Sequence, residues 1–111
     1  MEFRRILVND VTVLELKGMS QFGDSRHIKE ELDEIRKTCI KLVVDFSGVE
    51  YVGSSVLGVL ATEVRKNREL GGDVKLVNLT AGIKRLFSIT RLDKVFNIYD
   101  DRETALNDFS S

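Results

Sequence analysis

Leu42-Val-Val-Asp-Phe-Ser-Gly-Val-Glu-Tyr-Val-Gly-Ser-Ser-Val-Leu-Gly-Val-Leu60 is the stretch that decides the fold. It opens on a continuous apolar run, Leu42-Val43-Val44, bounded by Lys41 and Asp45. A short run of this kind predicts a central strand buried on both faces, placed here at Lys41 to Phe46. Ser47-Gly48 then turns the chain, and Val49 to Val52 crosses toward Gly53. From Ser54 the period changes. Val56, Leu57, Leu60, Ala61 and Val64 share one broad face of a helix running to Leu70. Glu63, Arg65, Lys66, Arg68 and Glu69 fall near its end, where cations suit a helix C-terminus. Gly71-Gly72 can close it in the left-handed manner.

The same reading extends in both directions. Upstream, Phe3–Val8 and Val11–Lys17 form a hairpin about Asn9-Asp10, and Gly18–Gly23 is a loop. Asp24 or Ser25 can cap a helix to about Thr38 whose narrow apolar face is Ile28, Leu32 and Ile35. Downstream come a strand over Asp73–Asn78 and a helix over Ala81–Ile89 that Thr80 can cap. A last strand over Lys94–Tyr99 and a helix over Asp101–Phe109, with Ala105, Leu106 and Phe109 facing inward, complete the chain. The order is β-β-α-β-α-β-α-β-α. It predicts a single α/β domain over residues 1–111, with a mostly parallel sheet and one antiparallel strand from the N-terminal hairpin.

Composition narrows the function. With 111 residues, 42% of them hydrophobic and 32% charged, the chain suits one globular domain. A net charge of −1 offers no global field for nucleic acid. One cysteine, Cys39, suits a reducing compartment. Neither a signal peptide nor a spanning segment is expected, so a soluble cytoplasmic protein without direct membrane insertion is the expectation.

Several motifs imitate chemistry without completing it. Gly53-Ser-Ser-Val-Leu-Gly58 has the glycine spacing of a phosphate-binding loop, but Val59 and Leu60 stand where lysine and a hydroxyl are required. Ser54 and Ser55 have no base nearby in the sequence, and His27, the only histidine, falls on a charged helix face. One His and one Cys do not make an ordinary zinc site. Asp45 is placed like the phospho-acceptor of a receiver domain. An acidic pair to hold magnesium is not matched, and the simpler role is to satisfy backbone donors at Ser47-Gly48. Lys84, Arg85, Arg91 and Lys94 read as a solvated face, or else as a surface for an acidic partner. Ser54 reads on its own as a helix N-cap. No catalytic residue, metal ligand or cofactor site emerges, so no enzyme is expected.

The residues from Leu42 to Leu60 resemble the signature of STAS domains, the fold of bacterial anti-sigma-factor antagonists. That signature is an apolar strand ending in Asp or Asn, a short link, and Asp-Ser-Ser/Ala/Thr-Gly-Leu-Gly opening a helix. Gly71-Gly-Asp-Val-Lys-Leu-Val77, Ile83-Lys-Arg-Leu-Phe87 and Leu92-Asp-Lys-Val-Phe96 resemble later family segments. The resemblance implies a partner switch. The antagonist binds an anti-sigma factor that is also a serine kinase and so frees a sigma factor. The kinase phosphorylates one serine, and a serine phosphatase reverses the step; ATP and magnesium belong to the kinase. By position the acceptor is Ser54, with Ser55 the neighbouring alternative. The contact surface would be the exposed parts of Gly53, Ser54, Ser55, Val56, Leu57 and Gly58 with the link from Ser47, and Asp45 and Ser47 support the motif. Two positions depart from the pattern: Gly53 replaces the Asp and Val56 the first Gly. They keep a second reading open, a non-phosphorylated scaffold subunit of a signalling assembly or of a lipid or anion transporter. A monomer or a homodimer is compatible with either.

Overall fold

The computed structural model describes residues 1–18 and 23–110. The expected element order is present. Strands β1 (Glu2–Val8), β2 (Val11–Lys17), β3 (Lys41–Gly48), β4 (Asp73–Val77) and β5 (Asn97–Tyr99) alternate, after the hairpin, with helices α1 (Asp24–Arg36), α2 (Ser54–Glu69), α3 (Ala81–Ile89) and α4 (Arg102–Ser110). The five strands form one sheet in sequence order. β1 pairs with β2 antiparallel, and every later pair is parallel.

Period-2 alternation along β2, β3 and β4 divides the core. Leu14, Leu16, Leu42, Val44, Phe46, Val74 and Leu76 pack against Ile28, Leu32 and Ile35 of α1, Val56, Leu57, Leu60 and Val64 of α2, and Ile83 and Phe87 of α3. Val11, Val13, Val43 and Val77 face the other way, onto Ala105 of α4, with Leu106 and Phe109 half-buried beside it. Three helices thus cover one face and a single nine-residue helix the other.

The main differences from the sequence reading fall in β3, β5 and α1, while boundaries of β1, β4, α2 and α4 shift by one residue. The pairing of β3 extends to Gly48, opposite Lys17, and the expected turn at Ser47-Gly48 is present within it, the Val49 amide donating to the Phe46 carbonyl at 2.9 Å; Gly48 packs flush on β2. A Cβ at Gly48 would lie 2.9 Å from the Leu16 carbonyl oxygen. β5 starts at Asn97 and not Lys94, because Leu92–Lys94 closes a 3-10 turn entered through Arg91 at φ 63°. Helix α1 stops at Arg36, short of Thr38. It is also entered through Gly23 at φ 93° with no side-chain cap, so neither Asp24 nor Ser25 caps it. Thr80 does cap α3, its hydroxyl accepting the Ile83 amide at 3.2 Å. Residues 19–22 of the expected Gly18–Gly23 loop lie outside the described residues.

Candidate functional site

The end of β3 is a β-bulge. Glu15 of β2 stands opposite Asp45, but Lys17 stands opposite Gly48, so β3 spends one residue more than β2 over this span. A bulge leaves a ladder group unpaired and re-aims the strand. Here the Ser47 amide donates to Asp45 Oδ1 at 2.8 Å. Asp45 therefore does satisfy a backbone donor at Ser47, where the bulge and the Ser47-Gly48 turn coincide. The re-aimed chain runs through Val49 and Val52, both buried, and leaves Glu50 and Tyr51 exposed. It then enters α2.

Asp45 is 2% exposed and shares the parity of Val43, so its carboxylate faces α4. Burying a carboxylate requires compensation by charge and hydrogen bonds. Arg102 at the start of α4 supplies both, its Nε donating to Asp45 Oδ2 at 2.5 Å while Nη2 donates to Glu15 of β2. Asn78, just past β4 and held at φ 60°, donates Nδ2 to Asp45 Oδ1 at 3.1 Å. Burial pushes the Asp45 carboxyl up, but the bonds from Arg102, the Ser47 amide and Asn78 outweigh it and hold the group below the usual carboxylate range. A folded-state value below the unfolded one adds stability above the unfolded value, and that stability is lost as pH falls through the folded value. Asp45→Asn is expected to flatten the acid limb of a Tm-against-pH curve between about pH 5 and pH 2. Parallel thermal melts of the two proteins check it. An unchanged acid limb would mean that Asp45 contributes nothing there.

Gly53, extended at φ −80° and ψ 161°, is the N-cap of α2, with no side-chain capping bond. Its carbonyl accepts the Val56 amide at 3.1 Å. The expectation that Ser54 caps the helix is therefore corrected: Ser54 is the first helical residue, one step inside the cap. Both serines are exposed and Gly53 is half-buried. Ser55 turns toward α1, lining a shallow cleft of about 390 Å³ with Ser25, Lys29 and Thr62. Gly58 is exposed with open space around it. Val56 and Leu57 are 0% and 2% exposed. They fill the core, and the surface expected over Gly53–Gly58 reduces to Ser54, Ser55, Gly58 and part of Gly53. With Val56 turned inward, its replacement of glycine does not crowd Ser54.

His27, Lys84, Arg85, Arg91 and Lys94 are exposed, and Lys84 pairs with Asp100 at 3.4 Å. Among the described residues no group of three His, Cys, Asp or Glu side chains could hold a metal ion, and no helix is long and apolar enough to cross a membrane.

Residues 5–105 match the STAS domain family. The chain belongs to the STAS domain family. Two relatives align over most of both chains. The anti-sigma F factor antagonist of Paenibacillus polymyxa is 25% identical over 88% of this chain and 86% of its own. A Thermotoga neapolitana protein, named provisionally as an anti-sigma factor antagonist, is 34% identical over 92% of each. The Bacillus cell-fate determinant SpoIIAA, solved in its phosphorylated form, superposes with a TM-score of 0.76 over 99% of this chain and all of its own. At 17% identity that likeness concerns the fold. This STAS domain holds its signature strand by Arg102, Glu15 and Asn78, three residues outside the motif that its local sequence did not point to.

Proposed function

We propose that the chain is an anti-sigma-factor antagonist that binds an anti-sigma serine kinase in the cytoplasm and thereby releases a sigma factor. It acts by binding and not by catalysis. Phosphorylation of Ser54 ends the complex, and a serine phosphatase restores it. The observation that carries this reading is the exposed Ser54 hydroxyl at the first position of a sixteen-residue helix, one residue beyond the cap. The names of the relatives point to the same partner class.

The position suits a charge switch. Phosphorylation adds about −1.5 to −2 charges at neutral pH. The first amides of a helix lack intrahelical partners and carry the positive end of its dipole, so they tolerate such a group. The domain stays folded while its docking surface gains bulk, charge and a hydration shell. An acidic group set against a like charge costs a complex several kcal/mol. That suffices for an on/off device.

Incubation with the cognate kinase and ATP, followed by intact-mass analysis, is expected to add one phosphate to the wild type and none to Ser54→Ala. Modification of the Ser54→Ala protein would move the acceptor to Ser55. An unmodified wild type would favour the scaffold reading.

A further inference from the structure

We infer that Arg102, at the far end of the chain from the STAS signature, is a positioning residue that sets how the bulge of β3 delivers the link to Ser54. Its bearing on the switch rests on the reading of Ser54 above; its action on the bulge stands on geometry alone.

The path is short and continuous. The bulge frees one backbone amide, that of Ser47, and Asp45 Oδ1 accepts it at 2.8 Å. Nothing covalent keeps that carboxylate in place. Its second oxygen is held by Arg102 Nε, and the same guanidinium bonds Glu15 on the neighbouring strand. A guanidinium that grips two carboxylates fixes direction as well as distance, because its donors are rigid and planar. Glu15 is the β2 residue directly opposite Asp45, so Arg102 clamps the last regular pair before the bulge. Past it, Gly18 donates to the Gly48 carbonyl at 3.0 Å and the Val49 amide to Phe46 at 2.9 Å. The take-off of the link is thus defined at the bulge, before Val49 and Val52 enter the core.

Helix α4 is poorly placed to hold itself down by burial alone. Ala105 is its one fully buried residue. Polar contacts anchor both ends: Arg102 at the start, and Asp108 near the end, which accepts from Lys75 at 2.9 Å. Lys75 is itself covered by the Tyr99 and Phe109 rings, 5.3 and 4.7 Å from their centroids. Docking of α4 and the setting of the bulge are therefore one event. Whatever displaces α4 removes the hold on Asp45 Oδ2 and leaves Asn78 as the remaining side-chain donor to the carboxylate that accepts the Ser47 amide.

Amide hydrogen exchange on the full chain tests this without any partner. In Arg102→Met the Ser47 amide is expected to exchange at least about tenfold faster than in the wild type, beyond any change at Ile28 and Leu32 in α1. Arg102→Lys keeps the charge but not the two-pronged grip, and is expected to give a smaller rise at the same amide. It also serves if the methionine variant fails to fold. Equal acceleration at Ser47 and in α1 would mean that Arg102 only adds global stability, and would overturn the inference, as would an unchanged Ser47. The mass assay on Ser54 is independent, so failure of the switch leaves the exchange result standing.

Discussion

Ser54→Asp is expected to weaken the complex with the cognate anti-sigma kinase by at least about tenfold in Kd, while Ser54→Ala keeps Kd within about twofold. Aspartate brings one charge where phosphate brings nearly two, so the substitution understates the natural effect. Structure separates binding from folding in this experiment. Ser54 is exposed and is not the cap of α2, so neither variant removes a structural bond. A carboxylate in the first turn interacts favourably with the helix dipole, and alanine is a better helix former than serine. Both variants are therefore expected to melt within about 2 °C of the wild type, since a few tenths of a kcal/mol shift Tm by that much in a domain of this size.

Titration calorimetry or surface-immobilised kinase reads the affinity, and thermal melts certify the fold. Ser55→Asp is the informative control. Ser55 is one residue on and also exposed, but turns toward Lys29 and the α1 cleft. Binding lost with Ser54→Asp and kept with Ser55→Asp assigns the switch to one hydroxyl. Equal affinity of the Ser54→Asp and Ser54→Ala proteins would remove Ser54 from the mechanism.

The course of the chain was legible because its signals are local. The apolar run Leu42–Val44, the helical spacing of Val56 to Val64, Thr80 before Ile83 and the double glycine after α2 each act within a few residues. What escaped is non-local or was read by residue type. Arg102 meets Asp45 across 57 positions, and no spacing rule connects them. Lys75 lies in β4 beside rings that belong to β5 and α4. Glu63 falls among the charged residues near the end of α2, yet it is 1% exposed. It lies beside Lys66 at 2.8 Å and Arg36 at 3.4 Å. Asn67 is buried next to it, accepting from Arg36 Nε at 2.7 Å and donating to the Ile40 carbonyl at 3.0 Å. A signal was available for both: Leu60, Glu63 and Asn67 follow one another at three and four residues, on the apolar face. Spacing outranks polarity here, because Arg36 of α1 and Lys66 of α2 supply the counter-charge.

Gly72→Ala is expected to be the most damaging small substitution in the domain, costing about 3 kcal/mol and lowering Tm by roughly 10–15 °C. The two glycines after α2 have separate duties. Gly71 takes the left-handed turn at φ 89°, and together they close the helix, Gly71 donating to Arg68 at 3.0 Å and Gly72 to Asn67 at 2.8 Å. This six-to-one and five-to-two pair is the Schellman closure. Gly71 has open space around it, so Gly71→Ala bears only the conformational cost, about 1 kcal/mol. Gly72 is not left-handed; it is pressed against Ile40. An added Cβ would lie 1.9 Å from the Ile40 carbonyl oxygen and 2.6 Å from its carbon. That carbonyl cannot retreat cheaply, since it accepts from the Asp73 amide at 3.1 Å and from Asn67. Moving it would break two bonds and disturb the entry of both β3 and β4. Urea titrations of the two variants decide the matter, with m unchanged if the denatured state is unaffected. Equal losses at Gly71 and Gly72 would show that the Ile40 backbone yields, and that left-handedness alone governs this double glycine.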